Sequence, residues 1–386
     1  MKKLIRNGSV WSGKGFTPAD ILIEGKRITS VSPGLGGDQA EVVDVSGKYV
    51  LPGIIDCHVH LSMNGGAHPM ADLAKASEAE ALFVAMQSCD ELIKSGVTTI
   101  RECGGKGMES IILSKAIEAG KMTGPRIISC IQAIKIIGGH FIGWEVTGPN
   151  EAREAARSLI RDGAKYIKLM ATGGLGKIGE QPGVVELDVD EMRAAIDEGK
   201  KHEMIGVAHC HSKQGMLNAL EAGAISIEHA TFVDKEVVEV MLEKKAYVVP
   251  TFSPYVLIDR HGLENGVSAY MCRMAGEICA YKNEHFRQVH ESGVPIAFGR
   301  DAGAPFVRHG KYVLEMQAME KCGMSRRAVI QSATENAAKL LGLWDDVGSL
   351  DAGKFADMVV LDADPANDLA AFESVAMVFK EGVRVR

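Results

Sequence analysis

The 386-residue chain predicts an α/β fold, a (β/α)₈ TIM-like barrel with a small β-sandwich module built from both ends of the chain. In the middle of the chain, short apolar segments alternate with amphipathic helical patterns such as Glu151–Arg161 and Val189–Lys201. Both ends instead hold apolar stretches broken by glycine and other turn residues, which is typical of small antiparallel strands. We therefore expect residues 1–50 and 346–386 to form the β-module and residues 51–345 to form the barrel.

The eight predicted barrel strands are short apolar runs bounded by turn or helix signals. They are Ile54–His58, Val97–Glu102, Arg126–Cys130, Tyr166–Met170, Ile205–His209, Ser226–His229, Tyr247–Thr251 and Pro295–Gly299. In a barrel of this kind, functional side chains collect at the carboxyl ends of the strands. The polar residues in and just after these strands are therefore the candidates for a functional site.

The composition argues against several classes of protein. The net charge of −7 does not suggest a nucleic-acid partner, and no apolar run approaches the length of a membrane span. The first residues lack the apolar stretch of a secretory signal. The eight cysteines include no Cys-x-x-Cys pair, as in a protein with reduced thiols. We expect a cytoplasmic protein that acts on a small molecule or dipeptide and has no membrane partner.

The segment His58-Val59-His60, at the end of the first predicted strand, is the clearest chemical signal. Residues two apart on a strand point to the same side, so both imidazoles can face one point. Imidazole is a good ligand for Zn²⁺ and other divalent metals. Such a pair also arises by chance in a chain with twelve histidines, so the other strands must decide between a metal site and a coincidence.

Four further strands hold residues that suit a metal site. They are Lys168 in strand four, His209 at the end of strand five, His229 at the end of strand six and Asp301 after strand eight. Alone, each histidine would be an ordinary core residue and the aspartate a helix cap. A lysine inside an apolar strand is costly to bury as a cation. Its carbamate, formed with CO₂, would be an anionic oxygen ligand able to bridge two metals, and all six positions together favour a metal site.

With these residues in this order, the chain resembles the amidohydrolase superfamily over nearly its whole length. The C-terminal segment Gly348–Asp357 also fits the β-module of that superfamily. The segments that resemble its prolidase-like, imidazolonepropionase-related branch of metal-dependent carboxypeptidases and dipeptidases are 96–102, 138–140, 170–174, 250–255 and 303–310. Two residues depart from the usual pattern: Arg300 replaces a threonine before the strand-eight aspartate, and Glu102 replaces an aspartate at the end of strand two.

The resemblance implies two divalent metal ions, expected to be zinc, and a carboxylated Lys168. The implied ligands are His58, His60 and Asp301 for one metal, His209 and His229 for the other, and Lys168 between them. Asp301 would also act as the general base and then the general acid. His140 and Tyr255 would hold the substrate. Relatives in this superfamily often form dimers to octamers, so the resemblance also implies a homo-oligomer.

A substrate with a free α-carboxylate would need a cation nearby. Arg308 and His309, with Arg300, follow strand eight and are candidates for this contact. Lys177 and Arg260, in the segments after strands four and seven, are weaker candidates.

The expected function is hydrolysis of an amide bond in dipeptides or N-acyl amino acids by a metal-bridging hydroxide. The alternatives are hydrolysis of a cyclic amide, an imidazolone, a lactone or an unusual amide such as a toxin or agrochemical, deamination, and a non-catalytic barrel kept for assembly. Lys168 argues against deamination, because mononuclear deaminases of the superfamily typically lack the bridging lysine. The complete ligand set argues against a non-catalytic barrel.

Overall fold

The computed structural model describes residues 2–175 and 180–386. The N-terminal strands are β1 (Lys2–Trp11), β2 (Phe16–Glu24), β3 (Arg27–Ser32), β4 (Glu41–Asp44) and β5 (Tyr49–Pro52). The central strands are β6 (Ile54–Val59), β7 (Val97–Glu102), β8 (Arg126–Ser129), β9 (Ala133–Ile136), β10 (Gly143–Val146), β11 (Ile167–Met170), β12 (Gly206–Cys210), β13 (Ala224–His229) and β14 (Tyr247–Val249). The C-terminal strands are β15 (Met358–Leu361), β16 (Val375–Lys380) and β17 (Val383–Arg384).

Most helices lie between or after the central strands. They are α1 (Pro69–Lys75), α2 (Glu78–Lys94), α3 (Glu109–Glu118), α4 (Pro149–Asp162), α5 (Val189–Lys200), α6 (Lys213–Ala222), α7 (Lys235–Lys244), α8 (Ser253–His261), α9 (Ala269–Glu291), α10 (Val313–Lys321), α11 (Arg326–Gln331) and α12 (Ala337–Leu340). A π-helix, Ser332–Asn336, joins the last two, and 3₁₀ helices cover Leu263–Asn265 and Leu369–Glu373. No helix in the described ranges combines the length and apolarity needed to cross a membrane.

Local side-chain chemistry sets several helix boundaries. At the start of α2, the Ser77 side chain accepts a hydrogen bond from the Glu80 amide, and the Glu80 carboxylate accepts one from the Ser77 amide. Asp188 and Glu191 form the same reciprocal pair at the start of α5. Helix α4 is capped at its C-terminal end by Gly163, whose φ of 110° is readily adopted only by glycine. These signals lie entirely in the sequence, so the helices on either side of Lys168 begin and end close to where the pattern predicts.

The two ends of the chain share one mixed sheet. Its strand order is β17-β16-β15-β5-β1-β2-β3, with β4 on β1. Strand β15 pairs antiparallel with β5, so the C-terminal strands extend the N-terminal ones. One apolar cluster, which includes Ile21 and Val50 from one end and Met358 and Phe379 from the other, packs within this region. A β-module assembled from both termini is therefore present, with its described strands joined in a single sheet.

The central strands form two parallel sheets, β6-β7-β8 and β10-β9-β11-β12-β13-β14. Seven of the eight predicted strands lie within two residues of an observed one at each end. Strands β9 and β10 were not predicted. The extended conformation has a break between β8 and β9, where Ile131 has a φ of 69°. Strand β8 pairs with β7 and β9 pairs with β11, so the break lies where the chain passes from one parallel sheet to the other.

The prediction of a strand at Pro295–Gly299 is wrong, because the backbone changes partners within the segment. The Ala297 amide donates to the Val248 carbonyl of β14, whereas the Phe298 carbonyl accepts from the Cys57 amide of β6. The Phe298 amide donates to Ser332 in the π-helix instead of to a neighbouring strand. The segment still links the edge strands of the two parallel sheets and brings Asp301 beside the end of β6.

A buried ion pair fixes the chain just before Asp301. Arg300 and Asp56 are both fully buried, and the guanidinium Nε donates to the carboxylate at 2.7 Å. The other guanidinium nitrogens donate to the backbone carbonyls of Arg308, His309 and Lys311. Arg300, the departure from the usual threonine, is therefore a structural tie between β6 and the 308–311 loop.

Replacing this arginine tests the importance of the tie. Arg300→Met should lower the free energy of unfolding by about 3–5 kcal/mol, because it leaves the Asp56 carboxylate buried and unpaired. Urea unfolding followed by circular dichroism measures the change. The control is Arg273→Met, which removes an exposed ion pair with Glu277 and should cost less than about 1 kcal/mol. Equal shifts for the two variants would contradict a special role for the buried pair.

Candidate active site

A cavity of about 290 Å³ opens where the central strands end. The predicted metal ligands His58, His60, Lys168, His209, His229 and Asp301 all line it. The predicted substrate contacts His140 and Tyr255 line it as well. The structure thus brings eight side chains, which span more than 240 positions of the sequence, to the wall of one cavity.

One group of possible ligands consists of His58, His60 and Asp301. Their ligand atoms lie within 4.8 Å of one another. The Asp301 Oδ1 atom is 3.4 Å from Nε2 of His60 and 3.8 Å from Nε2 of His58. Asp301 has a φ of 58°, a conformation uncommon outside glycine. Burial raises the pKa of its carboxyl above the ordinary value. Two imidazoles and one carboxylate at this spacing suit a divalent cation.

A second group consists of His209, His211 and His229, whose ligand atoms also lie within 4.8 Å of one another. His211 was not among the predicted site residues. It follows His209 by two positions, the same spacing that singled out His58 and His60, so the signal was present in the sequence. The His211 ring stacks on the His229 ring with centroids 5.0 Å apart.

Lys168 is 1% exposed, and its Nζ atom has no hydrogen-bond partner within the described part of the chain. A buried ammonium without an acceptor is strongly unfavourable. The side chain lines the same cavity as both histidine groups. This unsatisfied nitrogen beside two sets of donor atoms fits a lysine that is carboxylated and coordinated, so the residues present suit a pair of divalent cations.

Hydrogen bonds made by the Nδ1 atoms orient the histidine rings. His58 Nδ1 donates to the Glu228 carboxylate at 2.6 Å, which leaves Nε2 facing Asp301. The Arg101 guanidinium donates to the other Glu228 oxygen at 2.7 Å. Burial alone would raise the pKa of Glu228, but Arg101 and the bond from His58 lower it to about 2, so the carboxylate is ionised. Neither Glu228 nor Arg101 was singled out in the sequence.

The other rings are held in a similar way. His60 Nδ1 donates to the Gly104 carbonyl at 2.9 Å, and His229 Nδ1 shares a 2.6 Å hydrogen bond with Thr251. Burial lowers the pKa values of these two rings well below the ordinary value, which favours the neutral form that binds metals. Burial also lowers the pKa of His58, but Cys103 and Glu228 outweigh it and raise the value to about 10.

His140 is fixed by two carboxylates from the segment after β11. Its Nδ1 donates to Glu180 at 2.6 Å, and its backbone amide donates to Glu186 at 2.9 Å. The ring lies 4.5 Å from the His209 ring, centroid to centroid. Gly174 makes room for it, because a Cβ atom there would lie 2.4 Å from the His140 ring. His140 is therefore placed beside the second histidine group.

Tyr255, in the first turn of α8, is 5% exposed, and its hydroxyl lies 3.5 Å from His211 Nε2. Lys282 of α9 is packed against it, with Nζ 5.3 Å from the centre of the Tyr255 ring. The same Nζ donates to the His229 carbonyl at 3.0 Å and to the Pro250 carbonyl. One buried ammonium thus ties the ends of β13 and β14, which carry His229 and lead to Tyr255. Nothing in the local sequence of α9 indicated this contact.

The structure places the predicted carboxylate-binding residues Arg308 and His309 away from the cavity wall. Arg308 is exposed and outside the cavity wall, and His309 is buried with Nε2 2.9 Å from the Met63 carbonyl. The bonds from Arg300 to the carbonyls of this loop hold it in that position. Arg260 is exposed on α8, and Lys177 lies outside the described residues.

Comparison with known proteins agrees with this geometry. Residues 49–385 match the model of the amidohydrolase family. An ochratoxinase of Aspergillus niger is 30% identical over 378 residues, which cover 86% of this chain and 75% of that protein. An imidazolonepropionase of Geobacillus kaustophilus is 24% identical over 388 residues, with 92% and 84% covered.

A solved structure described as a Xaa-Pro dipeptidase with methionine bound in the active site is similar over the whole of both chains, with a TM-score of 0.91 and 32% identity. The family match spans most of the sequence. The chain belongs to the amidohydrolase family, is an enzyme of that family, and resembles its prolidase-like and imidazolonepropionase-related members, as the sequence predicted.

Proposed function

We propose that this amidohydrolase is a binuclear metal-dependent hydrolase that cleaves the amide bond of dipeptides or N-acyl amino acids. The observation that carries the proposal is the convergence on one cavity of two ligand groups and of the Lys168 nitrogen, which has no hydrogen-bond partner among the described residues. Similarity to a Xaa-Pro dipeptidase supports an amide as the bond cleaved.

The proposed ligands are His58, His60 and Asp301 for one cation, His209 and His229 for the other, and carboxylated Lys168 between them. Bound divalent cations, which we expect to be zinc, would polarise the scissile carbonyl and lower the pKa of water. We propose that His211 acts together with Tyr255 in contacting the substrate, because its Nε2 lies 3.5 Å from the tyrosine hydroxyl and its Nδ1 is hydrogen-bonded to Thr231.

The remaining steps belong to side chains of the cavity. Asp301 takes a proton from the attacking water and returns it to the leaving amine, since its carboxylate lies at the ligand group that would hold one cation, with Oδ1 3.4 Å from Nε2 of His60. Tyr255 and His140 donate hydrogen bonds to the carbonyl oxygen as negative charge develops on it. Both are buried and held by neighbours, so little reorganisation is needed during the reaction.

The proposal places this chemistry on a closed (β/α)₈ barrel, residues 51–345, with a β-sandwich module of residues 1–50 and 346–386. Backbone hydrogen bonds join Val248 of β14 to residues 295–297, and the residues that follow bond to Cys57 and His58 of β6. These bonds support closure of the barrel on one side. On the other side, the chain passes directly from β8 in one parallel sheet to β9 in the other.

A second candidate is hydrolysis of a cyclic amide, an imidazolone, a lactone or an unusual amide such as a toxin. It is favoured by the similarity to an ochratoxinase and an imidazolonepropionase, and by the position of Arg308 and His309 away from the cavity. The second candidate differs from the first in the substrate and not in the proposed ligands.

A substrate screen separates the two candidates. Purified protein loaded with zinc in the presence of bicarbonate is assayed against N-acyl amino acids, dipeptides, lactones and cyclic amides. Release of free amino acids from the first two groups alone is the expected result. Ring opening alone would contradict the peptidase or amidase proposal and favour the second candidate.

Lys168→Ala tests the bridging role. The variant should bind less metal and lose activity by on the order of 100-fold or more, because the anionic ligand shared by the two cations is gone. Metal per chain is measured by atomic emission, and kcat/KM is measured on the substrate found in the screen. The matched control is Lys165→Ala, an exposed lysine three residues earlier, which should change neither quantity. Full metal content and turnover in Lys168→Ala would rule out the bridging role.

Lys282→Met tests the tie between β13 and β14. It should lower kcat/KM by roughly 10- to 100-fold, because the His229 and Pro250 carbonyls lose their donor and the attached site residues shift. The control is Lys354→Met, which removes another buried lysine that donates to a backbone carbonyl, in a region outside the cavity. The control should lower stability without changing kcat/KM. A similar loss of kcat/KM in both variants would show that Lys282 acts only through general stability.

A further inference from the structure

Beyond the histidines, the wall of the cavity is almost entirely apolar. Its larger apolar side chains include Met63, Met70, Phe141, Leu175, Ile258 and Met271. Alanine, proline and glycine residues fill most of the space between them, and His68 and Ser268 are the polar residues of this outer wall among those described. The cavity therefore has a polar floor and apolar sides.

The apolar side chains come from two separate clusters. Met63, Met70 and Phe141 belong to one cluster, with Met170 and Ala304. Leu175, Ile258 and Met271 belong to another, together with Tyr255. Members of both clusters line the same cavity, where they form its two apolar walls.

Among the described residues, charge is confined to the floor of the cavity. Leaving the histidines aside, Lys168 and Asp301 are the charged side chains among the described residues that line the cavity. A charged substituent between the apolar walls would lose hydration without gaining a partner there. An apolar substituent would instead gain about 25 cal/mol for each Å² removed from water.

We propose, on the basis of the proposed function, that the substrates are amides in which one group flanking the scissile bond is bulky and apolar. Contact with the two walls, and not an ion pair with a substrate carboxylate, selects them. An aromatic or branched aliphatic group fits best, since a phenyl ring can pack against Phe141 and the methionine sulfurs. A cavity of about 290 Å³ is small for a ligand site, so the apolar group is of the size of one aromatic ring or a short branched chain.

Two series of compounds test the selection. One varies the acyl group of N-acyl glycines (acetyl, hexanoyl, benzoyl, succinyl), and the other varies the amino acid of N-acetyl amino acids (glycine, leucine, phenylalanine, glutamate). In at least one series kcat/KM should rise by roughly threefold or fourfold for each methylene buried. Within that series, the kcat/KM of the charged member should be at least roughly 30-fold lower than that of the apolar member of similar size. Equal or better turnover of the charged members in both series would overturn the inference.

Binding measurements separate this inference from the proposed function. Calorimetry compares N-benzoylglycine with N-succinylglycine, and N-acetylphenylalanine with N-acetylglutamate, on the zinc-loaded protein. If no amide is cleaved, the proposed function fails, but tighter binding of an apolar ligand than of its charged counterpart still supports the two-walled site. If neither apolar ligand binds more tightly, the inference fails even for an active enzyme.

The role of the carboxylate has its own comparison. N-hexanoyl-leucine and N-hexanoyl-leucinamide differ only in that charge. Their kcat/KM values should lie within about tenfold of each other, as expected where no buried ion pair is lost. If kcat/KM for N-hexanoyl-leucinamide were lower by on the order of 100-fold or more, an ion pair would select the substrate. That result would overturn this part of the inference.

Variants of the two walls locate the contact. Met70→Lys and Met271→Lys each place a cation in one wall, and Met86→Lys is the control because Met86 is an exposed methionine on α2. In at least one of the two wall variants, the ratio of kcat/KM for the best apolar amide to that for its charged counterpart should fall by roughly 30-fold or more. Metal content and melting temperature confirm that each variant is folded. Unchanged ratios in both folded wall variants would contradict the proposed contact.

Discussion

The site depends on a hydrogen-bonded ion pair in which Arg101 holds Glu228 and Glu228 holds His58. Arg101 extends from β7, and Glu228 lies on β13 in the other parallel sheet, so the pair crosses between the two sheets. Both side chains are fully buried, and the arginine also donates to Ser226 and to the Cys57 carbonyl. Such a pair is costly to desolvate, and loss of one partner typically costs about 3–5 kcal/mol. Its effect is to fix the ring of a candidate metal ligand while joining the strands that carry both ligand groups.

The backbone is strained where the site is built. His229, Ala230, Thr251 and Asp301 all have φ between 44° and 66°, although none of them is glycine. Each such residue costs on the order of 1–3 kcal/mol and persists only where its surroundings hold it. Lys282 supplies part of that support at His229, and Arg300 supplies it next to Asp301. His229 and Asp301 both line the cavity, so Lys282 and Arg300 support the backbone at or next to two of the candidate ligands.

The cavity combines two environments that act on different parts of a substrate. The floor is dense in imidazoles, whose metal-binding form is favoured by burial in most cases. The sides come from two apolar clusters that pack on the rest of the protein. Exclusion of water by the apolar sides would strengthen the electrostatic contacts at the floor. The same arrangement would suit the proposed amide hydrolysis at the floor and the proposed apolar groups beside the scissile bond.

The local features of this protein are determined by the sequence itself. The alternation of His58 and His60 and the lysine within an apolar strand depend on neighbours along the chain, and these side chains line one cavity as the pattern predicted. The caps of α2 and α5 are equally local, although no cap was predicted. His211 carried the same signal as His58 and His60 and was overlooked. Other features were decided only by the tertiary structure. The segment 295–299 shares its hydrogen bonds between β14 and β6, Lys282 reaches His229 from a helix more than fifty residues away, and Arg308 lies outside the cavity because Arg300 binds the carbonyls of its loop. These contacts join residues distant in the chain, and no local periodicity records which distant groups will satisfy a buried charge or carbonyl.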